Sequence, residues 1–393
     1  SAAWQKPLLH SPPVAQRAPG APVPASPGVA LAPLAHLASV LIGEGEAVYR
    51  ARRMTGRRAM ERAGISALTL KAKEGLSLIN GTQAMTALGI LAVRDAANLA
   101  DNAQVAAAMS LEALKGTNAA FDPRVSKVRP HAGQVRVAGN MTALLGGSEI
   151  MLSHRHCSKV QDAYTLRCIP QVIGASLGAI WYAEDVVGVE MNSATDNPLF
   201  FPDDSSVISA GNFHGQPVAL AMDFLGLAVH ELGSFSERRV ARMVDHKLSG
   251  LPAFLTKHGG LSSGMMVPQY VAASLVAEDM VLVHPASATS IPTSANQEDH
   301  NSMGTIGAWK ARQIIENVTK IVAIELIASA QAMDFMSAAS SACVEEVRAA
   351  IRSKVKRLDK DRSMTKDIDA VASMIRSGEL AEIAEHACDF QRT

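Results

Sequence analysis

Apolar residues recur at helical spacing over most of the chain, interrupted by a few short polar breaks. Residues 84–114, which include A-M-T-A-L-G-I-L-A-V-R-D-A-A-N-L-A, carry the 3.6-residue period with no proline before Pro123 and predict a long helix. The same period predicts helices over 162–190, Pro217–Asp245, 264–283 and 305–337. Only L-F-F-P-D-D-S-S-V-I-S, at 199–209, reads as a β-hairpin, with Pro-Asp-Asp as its turn. From about residue 344 the chain turns charged (V-E-E-V-R-A-A-I-R-S-K-V-K-R-L-D-K-D-R), which predicts shorter helices with a solvated face. Helices this long, and apolar nearly all round, are buried by other helices or by other subunits. The expected fold class is therefore all-α, a long-helix bundle with one small hairpin, and oligomeric.

The start of the chain breaks this pattern. Eight of the 18 prolines fall in residues 1–33, a density that precludes a regular helix and implies an extended or disordered segment. The expected organisation is a proline-rich segment over 1–30, a helical core over 31–340 and a charged helical region over 341–393.

Composition adds exclusions. Lys+Arg and Asp+Glu are both 37, so zero net charge predicts neither a nucleic-acid partner nor an anionic membrane. Cys157, Cys168, Cys343 and Cys388 are widely spaced with no C-x-x-C pair, and read as reduced thiols of a cytoplasmic protein. No signal peptide and no run of about 18 apolar residues suited to a bilayer are read from the chain. His154 and His156, in S-H-R-H-C, have no second cluster at ligand spacing, so no metal is expected.

Four polar breaks hold the candidate chemistry. Asn80 precedes Gly81 in L-I-N-G-T-Q, and a turn role suits it equally well. Gln161, Tyr164 and Arg167 recur every three residues and are expected on one helix face, where Arg167 could instead pair with a structural carboxylate. Asn212, Phe213 and His214 sit in the Gly-flanked S-A-G-N-F-H-G-Q-P, which could be a loop with no task. The fourth break, S-A-N-Q-E-D-H-N-S-M at 294–303, lies in a small, uncharged stretch that suggests a dip into the interior. There Glu298 and Asp299 could alternatively cap a helix starting near Asn301. Together the breaks offer a carboxylate-binding arginine, a phenol, amides and a buried acid, a set suited to holding an amino acid and moving a proton.

These stretches resemble the histidine and aromatic amino-acid ammonia-lyase family. The matching phrases are L-A-P-L-A-H-L-A (31–38), L-I-G-E-G-E-A (41–47), N-G-T-Q (80–83), R-P-H-A-G-Q (129–134), Q-D-A-Y-T-L-R-C (161–168), T-D-N-P-L (195–199), G-N-F-H-G-Q-P (211–217), S-E-R-R (236–239) and S-A-N-Q-E-D-H (294–300). They run in family order over more than nine-tenths of the chain. The resemblance implies a helical homotetramer whose active sites draw on more than one subunit. It also implies a 4-methylidene-imidazol-5-one electrophile, formed autocatalytically from an internal Ala-Ser-Gly. It would place Arg167 on the substrate carboxylate, Asn80 and Tyr164 beside the electrophile and the amine, and Gln161 in support. Phe213 would line the substrate pocket, and Glu298 would lie where the substrate side chain ends. Branches acting on phenylalanine or tyrosine usually lack the acid at this position, and a carboxylate answers an imidazole N–H but not a phenyl ring. Glu298 thus favours histidine, with elimination of ammonia to give urocanate. A phenylalanine or tyrosine lyase or aminomutase is the nearest alternative.

Two departures from the family pattern support a third reading, a catalytically inactive helical scaffold. Where the family carries Ala-Ser-Gly, this chain reads Ala25, Ser26, Pro27, Gly28. Ring closure needs a secondary amide two residues after Ala25, and Pro27 has no N–H. The family's upstream segment, source of a catalytic tyrosine and a substrate-binding histidine, is not matched, and residues 1–30 are expected to match nothing in the family.

Overall fold

Four long helices, α4 (Gln83–Ala113), α9 (Ile169–Glu190), α10 (Gln216–Val244) and α13 (Gly304–Met333), form the central bundle of the computed structural model. The structure describes residues 31–155, 157 and 159–393. Before the bundle come α1 (Leu31–Leu41), the hairpin β1 (Glu46–Tyr49) and β2 (Arg52–Thr55), then α2 (Gly56–Ala63) and α3 (Glu74–Ser77). Between α4 and α9 lie α5 (Pro123–Lys127), α6 (Ala132–Leu144), α7 (Glu149–Ser153) and α8 (Tyr164–Arg167). A second hairpin, β3 (Leu199–Phe201) and β4 (Ser206–Ile208), leads into α10. Next come α11 (His246–Ser249) and α12 (Met266–Leu282), and after α13 come α14 (Ala342–Lys354), α15 (Thr365–Ser377) and α16 (Glu379–Ala387).

Contacts between side chains set the directions of the bundle. A Cβ on Gly215 or Gly304 would strike Met85, so α4, α10 and α13 all begin at one end. The Thr82 hydroxyl donates to Glu190 at 2.5 Å, which brings the end of α9 to the start of α4 and makes α9 antiparallel to it. Consistent with this, the Ser176 hydroxyl, early in α9, donates to Ala228 O, well along α10.

Every residue of α4 from Leu99 to Ala113 is buried, and so is every residue of α13 from Ile321 to Met333. Helices enclosed on all sides must satisfy their polar groups internally. Arg239 forks onto Glu325, Nε to Oε1 at 2.5 Å and Nη2 to Oε2 at 2.8 Å, with both side chains essentially inaccessible. Ser110 donates to the same carboxylate at 2.5 Å. Glu112 accepts from the Ser340 hydroxyl, and burial raises its pKa. Helices α14 to α16 bury Val344, Val347, Ile351, Val371, Ile375 and Leu380 in the same core.

The predicted long helices are present, with three differences. The 162–190 helix is two: α8 ends at Arg167, the chain turns at Cys168, and α9 restarts with Pro170 in its first turn, where proline needs no N–H partner. Gln161 lies before α8, off the face shared by Tyr164 and Arg167. Helix α6 was not expected at all.

Among the described residues there are two hairpins rather than one. The expected strands are β3 and β4, with Leu199 opposite Ile208. In the additional hairpin, Tyr49 pairs with Arg52 around Arg50 and Ala51, both at positive φ (47° and 61°). Such a turn ordinarily announces itself through Asn or Gly, and here neither is present.

Among the described residues three stretches are, by length and composition alone, long and apolar enough to cross a membrane, contrary to the sequence reading: Ile169–Glu190, Gln216–Val244 and Met266–Ala288. They differ in how far the rest of the chain covers them. The window in α10 is 61% buried against its neighbours, and those in α9 and in Met266–Ala288 are 44% and 22% buried.

Candidate functional site at the two ends of the bundle

The common starting end of α4, α10 and α13 gathers three of the four polar breaks. None of their N-cap residues, Thr82, Gly215 and Met303, makes a side-chain cap, so first-turn N–H groups from three helices face the same region. Their aligned dipoles favour negative charge there, each by roughly 0.3–1 kcal/mol at exposed positions.

Asn80 stands just before α4. Its side-chain amide donates to Asp196 Oδ1 at 3.2 Å and to Asn197 O at 3.5 Å. Asp196 also accepts from Lys73 Nζ and Ser77 Oγ, each at 2.9 Å, and from the Asn197 N–H at 2.7 Å. Partial burial works against the Asp196 charge, but these donors prevail and hold the carboxyl below its usual pKa. Asn197 in turn accepts from Ala210 N at 2.8 Å, tying this node to the segment before Phe213. Asn80 is thus more than a turn residue: its amide plane is fixed by a charged anchor.

Phe213 is 36% exposed at the lip of α10. Beside it His214 stacks on His300, with ring centroids 5.6 Å apart and planes 9° apart, and His214 Nε2 lies 3.1 Å from His300 O. This joins the 211–217 phrase to the 294–300 phrase.

The 294–300 stretch does not dip into the interior. Most of it is exposed, and Glu298 is half-buried. Backbone positions Ser294, Ala295 and Asn296 all have positive φ, and the loop closes through hydrogen bonds between Thr293 and Glu298. The Thr293 hydroxyl donates to Glu298 Oε2 at 2.6 Å. Small, uncharged residues suggest burial, but here Thr293, Ser294 and Ala295 form a tight exposed loop instead. Glu298 does not cap α13, which begins at Gly304 with Met303 before it.

Gln161, Tyr164 and Arg167 lie at the opposite end. Tyr164 is 70% exposed, and Gln161 is exposed without a side-chain hydrogen bond among the described residues. The Arg167 guanidinium stacks over the Tyr164 ring, 4.8 Å from its centroid. Its Nε is buried with no acceptor, and no carboxylate pairs with it among the described residues. An arginine of this kind is available to an incoming carboxylate. The 22 residues of α9 separate this end from Asn80, roughly 33 Å at 1.5 Å per residue. A single chain therefore holds two half-sites and does not bring them together.

Ala25, Ser26, Pro27 and Gly28 lie outside the described residues. Their chemistry still tests the electrophile: Pro27 has no amide hydrogen, so Ala25-Ser26-Pro27 does not fit a methylidene-imidazolone ring. Among the described residues no cluster of His, Cys, Asp and Glu could hold a metal ion.

Reading the sequence passed over Asp196, Lys73 and Ser77, although T-D-N-P-L was noted as a phrase. A lone acid beside a cis X-Pro bond gives no local hint that its partners lie more than a hundred positions earlier.

A family profile described as aromatic amino acid lyase matches residues 22–353. The match starts before Leu31 and takes in Ala25 to Gly28, which corrects the expectation that residues 1–30 match nothing. The histidine ammonia-lyase of Alkaliphilus oremlandii is 56% identical over 362 residues, covering 92% of this chain and 71% of the relative. That of Caldanaerobacter subterraneus is 55% identical over 354 residues, covering 90% and 70%. Among solved structures, the histidine ammonia-lyase from Trypanosoma cruzi superposes with a TM-score of 0.85 at 44% identity, over 92% of this chain and 69% of that one. The tyrosine aminomutase from Streptomyces globisporus does so with a TM-score of 0.86 at 38% identity, over 94% and 74%. With a match over most of its length and a shared long-helix bundle, the chain belongs to the aromatic amino acid lyase family.

Proposed function

We propose that the site is of the histidine ammonia-lyase kind: it is built to hold L-histidine in the manner of an enzyme that eliminates ammonia to trans-urocanate, in the cytoplasm, at sites shared between copies of the chain in a homotetramer. The observation that carries the reading is Arg167, a guanidinium whose buried Nε finds no partner, and which meets no internal carboxylate, among the described residues. In this reading Arg167 takes the substrate carboxylate, and Tyr164 lies beside the amine with Gln161 supporting. From a neighbouring copy come Asn80, held by Asp196, and Phe213, packing on the side chain. Glu298 accepts the imidazole N–H, an interaction a phenyl ring cannot offer. The relatives named as histidine ammonia-lyases support histidine over tyrosine or phenylalanine.

Exposed apolar side chains supply faces for such an assembly. Leu220, Phe224 and Leu227 line the outside of α10, and Val267, Tyr270, Val271 and Met280 lie along α12. The 33 Å between the half-sites supports the shared arrangement, because an amino acid cannot span it.

Pro27 favours a further restriction: this chain binds histidine without turning it over. The test combines calorimetric titration of the purified chain with L-histidine and L-phenylalanine, a urocanate assay and an intact mass. Histidine should bind more tightly than phenylalanine, no urocanate should form, and the mass should equal that of the sequence. Urocanate together with a mass two waters short would overturn the role of Pro27. Equal affinity for the two amino acids would overturn that of Glu298.

A further inference from the structure

Two thiols far apart in sequence meet near the end of the chain. Cys343 is the second residue of α14, and Cys388 follows the last residue of α16. Their sulfurs lie 3.0 Å apart, about 1 Å longer than a disulfide bond of about 2.05 Å. Both also approach one acceptor, Ala384 O, at 3.7 Å from Cys343 Sγ and 3.4 Å from Cys388 Sγ. The last turn of α16 therefore holds the two sulfurs side by side.

We propose that Cys343 and Cys388 form a reversible disulfide in response to low-molecular-weight disulfides, locking the C-terminal helices together. The two sulfurs differ in access, which sets the order of events. Cys343 is 3% exposed, whereas Cys388 is half-buried and reachable from solvent. The Cys388 thiolate attacks one sulfur of a disulfide RSSR, forming Cys388–S–S–R and releasing RS⁻. Cys343 then loses its proton to solvent and attacks the Cys388 sulfur, forming the internal bond and expelling a second RS⁻. The protein gives up two electrons and two protons, and RSSR becomes two thiols. Burial pushes the Cys343 thiol well above its usual pKa, so the second step is the slow one and accelerates with pH.

The bond would close a loop of 45 residues containing α14, α15 and α16. It would also fasten the segment after Cys388, where Gln391 N donates to Asn140 at 2.9 Å and Phe390 is buried in the core. A loop of that size restricts the unfolded chain appreciably, so oxidation should raise stability.

The experiment exposes the full chain to oxidised glutathione, alkylates remaining thiols and maps the cysteines by mass spectrometry beside a reduced control. A crosslink between the peptides carrying Cys343 and Cys388 is expected, with a mass lower by two hydrogens and a Tm higher by a few °C. In Cys343→Ser, glutathione should remain on Cys388. In Cys388→Ala, Cys343 should stay unmodified; this variant alters only the half-buried thiol and serves should Cys343→Ser fail to fold. Alkylation of both Cys343 and Cys388 in the oxidised chain, with glutathione only on the exposed Cys157, would overturn the proposal. A crosslink with unchanged Tm would overturn the locking role.

Discussion

The Asn80 side chain donates to Asp196 across 116 positions of sequence, and that one hydrogen bond ties the start of the central bundle to the T-D-N-P loop. Asp196 is also the acceptor for Lys73 and Ser77. Replacing it with alanine strands three side-chain donors and the Asn197 N–H at a partly solvated position. The expected cost is about 1–2 kcal/mol, read as a lower urea midpoint with an unchanged slope. An unaltered midpoint would remove Asp196 as the anchor of Asn80.

Glu325 is the acceptor at the centre of the bundle, shared by Arg239 and Ser110. Glu325→Ala leaves a buried guanidinium without a counter-charge and should destabilise by about 3–5 kcal/mol. Replacing Arg239 and Glu325 together with apolar residues of similar volume should recover much of that loss. Thermal or denaturant unfolding of the single and double variants checks both statements.

Asp279 on α12 is fully buried, with Asn317 Nδ2 donating at 2.8 Å to one carboxylate oxygen and nothing on the other among the described residues. Burial raises its pKa to about 7 from 3.8. The folded chain then holds a proton that the unfolded chain has released. Its contribution is full below pH 4 and is lost as pH rises toward 7. Burial likewise raises Asp101 to about 6, so part of the pH slope belongs to it. Asp279→Asn should flatten the decline in stability between pH 4 and 7, as measured by urea unfolding across that range. An identical slope in the variant and the parent would remove Asp279 from the account.

Arg167→Ala should weaken histidine binding by about 30- to 1,000-fold, the loss of a charge-assisted bidentate contact. Arg167→Lys should recover little, because an ammonium cannot reproduce the planar fork. Titration calorimetry of the folded variants decides the matter, and normal binding by the alanine variant would discard the assignment.

Pro27→Gly restores a secondary amide at the position where ring closure needs one. An intact mass two waters lower than the variant's sequence is expected, and an unchanged mass would show that Pro27 is not the sole obstacle.

Long helices were legible because small apolar residues repeat at the helical period over some thirty positions, as in α4 and α13. The first hairpin was not, since Arg50 and Ala51 adopt positive φ without the residues that favour it. Asn80, Tyr164, Arg167, Phe213 and Glu298 stood out as polar breaks, but their distribution over two ends depends on the antiparallel path of α9. Exposure of the Glu298 loop was misjudged because small residues serve tight loops as readily as tight packing. The partners of Asp196 and Cys343 follow only from tertiary structure, being 123 and 45 positions distant.

A helix is stiff along its axis, so no fluctuation of one chain shortens the roughly 33 Å that α9 imposes between Arg167 and Asn80. Any small ligand that touches both must meet them on different molecules. The number of complete sites then follows mass action in the chain itself, rising faster than linearly with concentration until assembly saturates. Dilution would abolish such binding while every helix remained folded, and a chain damaged at one end could still lend its sound end to a neighbour.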